Sequence, residues 1–312
     1  MSSVMTVVIP VFALIALGFA AGRFNYFSHD AVKALNDFTF SMAVPAFMFR
    51  TMAKLEMEQS PVDLWLAFFG AVAINWLVAT FAVSQLLKRP SVDAPSIAMS
   101  SCFGNVVMLG IPISFAAFGE RAAIPAAVLV SLHTPVLFFV GTLHQALVAE
   151  PRQATAASIM KELLAELVRN PIIVAILAGT LWRFTGLGLH PALDRSLLLL
   201  GQASVATALV GLGLSLVNFA IKGQVPTLAM ILILKLVAMP ALAWFLAIHV
   251  FDVSPVAAAV LILFAAMPTG ANAYLFAHRN ERAVNSASGA VALGTILAVF
   301  TAAVIVSALA IR

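Results

Sequence analysis

Two stretches of this chain combine amide side chains with glycine and proline in apolar surroundings. Together they supply six candidate binding residues, Asn105, Gly110, Pro112, Pro268, Gly270 and Asn272. Proline lacks a backbone donor, and its ring clashes with the carbonyl four residues earlier, so a helix is interrupted there. Inside a membrane, the freed backbone groups must find partners in the protein or in a water-filled cavity. Each stretch is therefore either a packing kink or part of a binding site.

The chemistry available at such an interruption suits an anion. A helix that begins inside a membrane presents free N–H groups and a partial positive charge, which favour a carboxylate. Asn105 and Asn272 add amide donors without the desolvation cost of a full charge. The alternative is that both asparagines only cap broken backbone. The glycines and prolines would shape the interruption and could offer backbone contacts to a ligand.

Lys235 and His133 are the other two candidates, because each lies inside an apolar segment. A lysine in a membrane span costs on the order of 3 kcal/mol. Lys235 could supply positive potential for an anion, pair with an acid, or extend its ammonium group to the membrane surface. His133 could titrate near neutral pH and couple protons to a transport step. A hydrogen-bonded structural histidine is the alternative for His133.

The composition predicts an integral membrane protein. Hydrophobic residues make up 62% of the 312 residues, only 10% are charged, and the mean hydropathy is +1.06. Soluble domains carry roughly 25% charged residues. The net charge of +4 indicates lysine and arginine in loops, not a nucleic-acid surface. The single cysteine, Cys102, excludes an internal disulfide.

Apolar segments of membrane-spanning length recur along the whole chain. We predict ten spans, at about 3–22, 31–52, 61–87, 94–118, 122–149, 171–187, 195–221, 225–251, 255–278 and 283–311. The polar segment 150–170 between the fifth and sixth is predicted to be a cytoplasmic linker with a short interfacial helix. Lysine and arginine are more frequent in the loops after odd-numbered spans, which places both termini outside the cytoplasm.

The second half of the sequence repeats the first at a fixed offset of 161 residues. Pro10 matches Pro171, Gly18 matches Gly179, and the charged triplet Glu-Arg-Ala at 120–122 recurs at 281–283. Five spans in each half reverse the chain direction, so the halves are predicted to be inverted repeats. This arrangement is typical of secondary transporters, whose sites lie at mid-membrane between discontinuous helices. The interrupted fourth and ninth spans are then expected to meet.

The same motifs resemble those of the auxin efflux carrier family. Asn105, four residues, then Gly110-Ile111-Pro112-Ile113 resembles its fourth-helix motif, and the stretch 267–273 resembles the ninth-helix motif of bacterial members. Lys235 between leucines, followed by Pro240, is similar to its eighth helix. The resemblance implies crossed, broken helices 4 and 9, and an elevator-type transporter of small organic anions, such as malonate or auxin-like acids. It also implies a bacterial inner membrane.

The prediction is an all-α membrane protein with two inverted five-helix repeats, at 1–149 and 171–312, joined by the linker 150–170. The resemblance assigns helices 1, 2, 6 and 7 to a scaffold that forms a homodimer, and helices 3–5 and 8–10 to a transport domain. The partners would be the anion and the lipid bilayer, not nucleic acid. A sodium-coupled carrier of the bile-acid symporter type is the first alternative.

A membrane-embedded enzyme is the second alternative, and the sequence disfavours it. It shows no metal-ligand motif, no phosphate-binding glycine loop and no cysteine cluster. We therefore expect no cofactor and no catalytic residues. The sequence leaves open the substrate, the direction of transport and any coupling ion.

Overall fold

The computed structural model of the protein is all-helical, as predicted. It describes residues 2–54, 61–148, 161, 165, 168–221 and 223–310. Within them lie fourteen α-helices: α1 (Ser2–Arg23), α2 (His29–Phe38), α3 (Val44–Ala53), α4 (Val62–Gln85), α5 (Ala94–Cys102), α6 (Ile111–Phe118), α7 (Ala123–Val148), α8 (Pro171–Phe184), α9 (Pro191–Leu216), α10 (Val225–Ile233), α11 (Met239–Phe245), α12 (Pro255–Ala265), α13 (Ala271–Arg279) and α14 (Val284–Ala310).

Within the described residues, six helical segments are long and apolar enough to cross a membrane. They are Thr6–Arg23, Val62–Gln85, Val106–Val148, Pro191–Leu216, Val225–Val250 and Val284–Leu309. Helices α8 and α12 are shorter and also apolar. The chain is therefore an integral membrane protein. Most of the predicted linker 150–170, including its interfacial helix, lies outside the described residues.

Three prolines within apolar segments follow a wide π turn. The turns and prolines are Thr39–Ala43 with Pro45, Val106–Gly110 with Pro112, and Leu234–Ala238 with Pro240. Each proline is the second residue of the α-helix that resumes. A wider turn suits these positions because proline lacks an N–H and its ring clashes with the carbonyl one turn earlier. These prolines therefore distort the helices without ending them.

Glycines bring two pairs of helices into close backbone contact. Gly18 of α1 lies against the carbonyl of Val210 in α9, and Gly179 of α8 lies against the carbonyl of Phe49 in α3. A Cβ atom on Gly179 would lie 2.5 Å from the Phe49 oxygen. Gly18 and Gly179 are 161 positions apart in the sequence, and so are Phe49 and Val210. The two contacts are thus equivalent under the predicted repeat.

Gly18→Leu and Gly179→Leu are both expected to destabilise the protein. Each new leucine side chain would clash with backbone atoms of the facing helix, which cannot move aside as a side chain can. Overpacking of this kind typically lowers the free energy of unfolding by about 1–3 kcal/mol. The measurement is the thermal unfolding midpoint of purified protein in detergent. Ala16→Leu and Ala178→Leu are matched controls, because these alanines lie on exposed faces of the same helices. A Gly18→Leu midpoint equal to that of Ala16→Leu would contradict the expectation.

The helices around the interrupted segments enclose the principal hydrophobic core. Its members include Phe68 of α4, Met99 of α5, Leu129 of α7 and Phe264 of α12, all with 0% exposure. Helix α4 packs along α5, and α11 packs along α12. Each interrupted segment is therefore held by the helix that precedes it.

Candidate functional site

Two interruptions break the helices that we expected to be discontinuous. One lies at 103–105, between α5 and the π turn Val106–Gly110, and the other lies at 266–270, between α12 and α13. Both are buried in the protein. Non-helical backbone inside a membrane protein is tolerated where the protein or a water-filled cavity supplies its hydrogen bonds.

The two interruptions supply those bonds to each other. Gly104 and Thr269 form an isolated antiparallel β-bridge. Two backbone hydrogen bonds accompany it, from the Asn105 N–H to the Pro268 carbonyl (2.8 Å) and from the Gly270 N–H to the Phe103 carbonyl (2.9 Å). The Thr269 hydroxyl also donates to the Ser100 carbonyl at 2.8 Å. We call the paired segments 103–105 and 266–270 the crossing.

The crossing does not follow the fixed sequence offset that relates the two halves. Gly104 and Thr269 are 165 positions apart, whereas an offset of 161 would pair Gly104 with Ala265. The difference of four residues, about one helical turn, has two equal parts: α12 is two residues longer than α5, and Thr269 lies two residues further beyond the end of its helix than Gly104 does. The ungapped repeat was therefore wrong at this point. Backbone pairing, not sequence position, determines which residues meet.

Both helices that leave the crossing begin there without a side-chain cap. The π turn begins after Asn105, and α13 begins after Gly270. The first N–H groups of a helix have no partner within that helix, and they carry a partial positive charge. Two such ends lie close to one another here, and partial positive charge of this kind favours a negatively charged group.

The amide side chains of Asn105 and Asn272 make no hydrogen bond to any other described residue. Asn105 is only 8% exposed, and Asn272 is partly buried in the first turn of α13. The carbonyl of Asn105 accepts from the N–H groups of Leu109 (3.2 Å) and Gly110 (3.1 Å). Asn105 thus begins the following helix through its backbone, and its amide stays available. The structure therefore does not show the alternative arrangement, in which both side chains only cap broken backbone.

The glycines and prolines shape the crossing in different ways. A Cβ atom on Gly110 would lie 3.2 Å from Phe264 and Met267 side chains, and one on Gly270 would lie 3.2 Å from the Gly104 carbonyl. The Pro268 carbonyl and the Gly270 N–H already bond across the crossing. Pro112 lies outside the interruption, as the second residue of α6. Our placement of the break at Pro112 was wrong, because the π turn accommodates this proline within a helix.

Lys235 lies against the crossing and is completely buried. Its ammonium group donates to the carbonyl of Ala265, the last residue of α12, and lies 3.6 Å from the Met239 sulfur. A Cβ atom on Gly104 would be 3.4 Å from the Lys235 Nζ atom. A cation is favourable at a helix C-terminus, where carbonyl groups carry partial negative charge. The alternative in which this side chain extends to the membrane surface is therefore wrong.

Asn75 is a buried residue that supports the crossing, and the sequence interpretation missed it. It lies on α4 with 0% exposure, and its Nδ2 atom donates to the Ser101 carbonyl at 2.8 Å. Asn75 thus pairs with the end of α5 as Lys235 pairs with the end of α12. Its signal in the sequence was an amide in the middle of the apolar span 61–87.

Asn75→Leu is expected to destabilise the protein by about 1–3 kcal/mol, because the buried Ser101 carbonyl would lose the partner that Asn75 supplies. The measurement is again the thermal unfolding midpoint in detergent. Thr80→Val is the matched control on the same helix, since its hydroxyl bonds only to the Trp76 carbonyl one turn earlier. Equal midpoints for the two variants would show that Asn75 does not hold the crossing.

His133 lies next to the crossing in an aromatic environment. It is 1% exposed, and its ring centroid is 4.5 Å from that of Phe103 and 5.9 Å from that of Phe68. Neither ring nitrogen has a hydrogen-bond partner among the described residues. The expected hydrogen-bonded structural histidine is therefore not observed. Its role in proton coupling stays a prediction.

A cavity of about 170 Å³ lies beside the second half of the interrupted segment. Its walls are mainly apolar and include Phe47 of α3, Ile111 and Phe115 of α6, and Val205 of α9. Glu120 is exposed and also contributes to the lining. The cavity adjoins the helix that begins at the crossing, but neither Asn105 nor Asn272 lines it.

The fold and the crossing define an integral membrane transport protein, and comparison with known sequences places it in a family. Residues 3–306 match the family described as "Membrane transport protein", and the chain belongs to this family, the auxin efflux carriers. The predicted resemblance is thus confirmed. No catalytic residue follows from this membership.

Similar proteins come from bacteria and archaea. The chain is 25% identical over 303 residues to a protein of Rhizobium meliloti named "Putative malonate transporter", covering 96% of this chain and 94% of that protein. It is 22% identical to the Escherichia coli "Uncharacterized transporter YfdV", with 74% of each chain covered. It is 23% identical to the Methanocaldococcus jannaschii "Uncharacterized transporter MJ1031", with 85% of each covered.

Proposed function

We propose that the protein is a secondary transporter of small organic anions, carboxylates such as malonate or auxin-like acids, across the bacterial inner membrane. The observation that carries this proposal is the crossing, where two uncapped helix N-termini and the unpaired amide of Asn105 lie beside the buried ammonium of Lys235. Such a site suits a carboxylate, because both backbone N–H groups and amide N–H groups donate to oxygen. The name of the Rhizobium relative supports malonate as one candidate.

We further propose ten membrane-spanning helices arranged as two inverted repeats. The equivalent contacts of Gly18 with Val210 and of Gly179 with Phe49 support this arrangement. In it, α1–α3, α8 and α9 form the scaffold and the homodimer interface, and the remaining helices form the transport domain. The transport domain would carry the crossing across the membrane by an elevator motion. Repeats of this kind place substrate sites at mid-membrane.

In this mechanism the substrate carboxylate binds at the N-termini of the π turn Val106–Gly110 and of α13. Asn105 and Asn272 donate to its oxygens, and Lys235 provides positive potential from behind the crossing. Pro268 and Gly270 act through the backbone bonds that hold the two segments together. Because donors surround the anion without a paired guanidinium, the substrate can leave once the site opens to the other side.

A ligand screen tests the proposal directly. Purified protein in detergent is heated with acetate, malonate, succinate or indole-3-acetate, and malonamide serves as an uncharged control. A ligand at 100 times its dissociation constant stabilises a protein by about 2.7 kcal/mol, which is a measurable rise in unfolding temperature. Uptake of the stabilising acid into proteoliposomes, with and without sodium, then tests transport and distinguishes the sodium-coupled alternative. Equal stabilisation by malonamide would contradict an anion site.

The proposed topology places both termini outside the cytoplasm. Fusions of alkaline phosphatase and of green fluorescent protein to each terminus should therefore give phosphatase activity and no fluorescence at both. The excess of lysine and arginine in loops after odd-numbered spans is the physical basis. Termini on opposite sides would contradict the count of ten spans, and two cytoplasmic termini would contradict the orientation.

A further inference from the structure

Lys235 is a fully buried lysine that forms no ion pair with any described residue. Its partners are neutral, the Ala265 carbonyl and the Met239 sulfur. Among the acidic residues that the structure describes, Asp93 alone is buried, and it pairs with Arg89 at 2.9 Å. Among the described residues, only the neutral carbonyl end of α12 is placed to stabilise a charge on Lys235. Such an uncompensated charge is costly in a membrane, so we expect it to have a function.

We propose that Lys235 supplies the counter-charge of the transported anion, so that the carrier crosses the membrane neutral when loaded with a monoanion and positively charged when empty. The inference rests on the proposed function and adds a charge specificity to it. The Lys235 ammonium bonds to the end of α12 and lies beside Gly104, so it would move together with the site. One positive charge matches one carboxylate.

Two consequences follow for transport. A loaded monoanion needs no co-transported cation, because the complex has no net charge to move through the membrane field. The empty carrier does move a charge, and an inside-negative potential draws it towards the cytoplasm. The potential would therefore accelerate net efflux through the return step. One charge moved through 100 mV changes an equilibrium about 50-fold, and a rate about 7-fold if the barrier lies halfway.

The test separates loaded and empty steps in proteoliposomes of the full chain. Exchange of labelled substrate against saturating unlabelled substrate uses only the loaded carrier, whereas net efflux requires the empty carrier to return. A potassium gradient with valinomycin sets the potential to zero or about −100 mV. The probes are indole-3-acetate, a monoanion, and malonate at about pH 8, where both carboxyl groups are ionised. Both probes are used with the same protein preparation.

We expect the exchange of indole-3-acetate to be equally fast at zero potential and at about −100 mV. Its net efflux should be several-fold faster at about −100 mV than at zero. Malonate exchange should fall several-fold at −100 mV, because a dianion leaves the loaded carrier with one negative charge. Exchange of the monoanion that depends on potential in the wild-type protein would overturn the inference. Potential-independent exchange of the dianion would overturn it as well. Both results are obtained with the wild-type protein, so neither depends on whether a variant folds.

Variants test whether Lys235 carries the positive charge of the empty carrier. Lys235→Met should make exchange of the monoanion potential-dependent, and Lys235→Arg should retain the wild-type pattern. Lys33→Met is the control, since this lysine is exposed on α2. Unchanged exchange in a folded Lys235→Met protein would show that another group carries the charge. Absence of transport of every carboxylate by the wild-type protein would instead contradict the proposed function, so the two failures are distinguishable.

Discussion

Asn105→Ala is expected to reduce carboxylate uptake by about 10- to 100-fold in proteoliposomes. Its amide has no partner among the described residues, and removing a hydrogen bond to a charged group costs about 1.5–3 kcal/mol. The backbone N–H of Asn105 would still bond to the Pro268 carbonyl, so the crossing should remain intact. The measurement is the initial rate of uptake of the acid that stabilises the wild-type protein most.

Two controls make the Asn105 result interpretable. Asn285→Ala removes an exposed asparagine from the first turn of α14 and should leave uptake unchanged. The unfolding midpoint of Asn105→Ala should also lie close to that of the wild-type protein. Wild-type uptake by Asn105→Ala would remove the central residue of the proposed site. Loss of uptake together with a large fall in the midpoint would instead assign Asn105 a structural role.

Gly104→Leu should abolish transport and also lower stability. Even a Cβ atom at this position would lie 3.3 Å from the Phe264 carbonyl and 3.4 Å from the Lys235 ammonium. A leucine side chain must displace one of these groups or separate the β-bridge with Thr269. Overpacking of this kind costs about 1–3 kcal/mol. The measurements are uptake in proteoliposomes and the thermal unfolding midpoint in detergent.

A graded series sharpens the Gly104 prediction. Gly104→Ala requires only a few tenths of an ångström of adjustment, so it should retain partial transport, whereas Gly104→Leu should retain none. Ala116→Leu is the size-matched control on an exposed face of α6, and it should behave as the wild-type protein. Wild-type uptake by Gly104→Leu would show that close contact between the two interruptions is unnecessary.

The buried hydrogen bonds explain why the crossing can exist inside a membrane. Each interruption frees backbone groups in a place where water cannot satisfy them. The β-bridge satisfies those at its centre, while Asn75 and Lys235 bond to carbonyls near the ends of α5 and α12. The two helix starts and the Asn105 amide have no such partners among the residues that the structure describes. This contrast between satisfied and unsatisfied groups is the basis of the proposed binding site.

Local chemistry made some features predictable from the sequence. Apolar segments of sufficient length indicated a helical membrane protein, since only helices satisfy the backbone within a short stretch of chain in lipid. Glycine and asparagine near proline indicated where two of the helices break. Gly18 and Gly179 matched at an offset of 161 residues, and their equivalent contacts agree with that match. Lys235 could be identified as a candidate from the sequence, because a charged side chain is rare in an apolar segment.

Other features depended on contacts between distant parts of the chain. The position of Pro112 within a helix follows from the π turn that accommodates it, and a proline alone does not specify that turn. The partner of Lys235 is 30 residues away, and the partner of Asn75 is 26 residues away. The absence of hydrogen-bond partners around His133 in the described structure follows from the aromatic rings that surround it. No local pattern encodes any of these arrangements.

The sequence by itself determined a helical membrane protein with two breaks near glycine, asparagine and proline, and a lysine placed where a charge is costly. Length, hydropathy and backbone chemistry act within a few residues, so they can be read along the chain. Only the tertiary structure decided that Gly104 pairs with Thr269, because register is fixed by hydrogen bonds between segments 165 positions apart. That pairing brings the two helix N-termini, Asn105 and Lys235 together in one place.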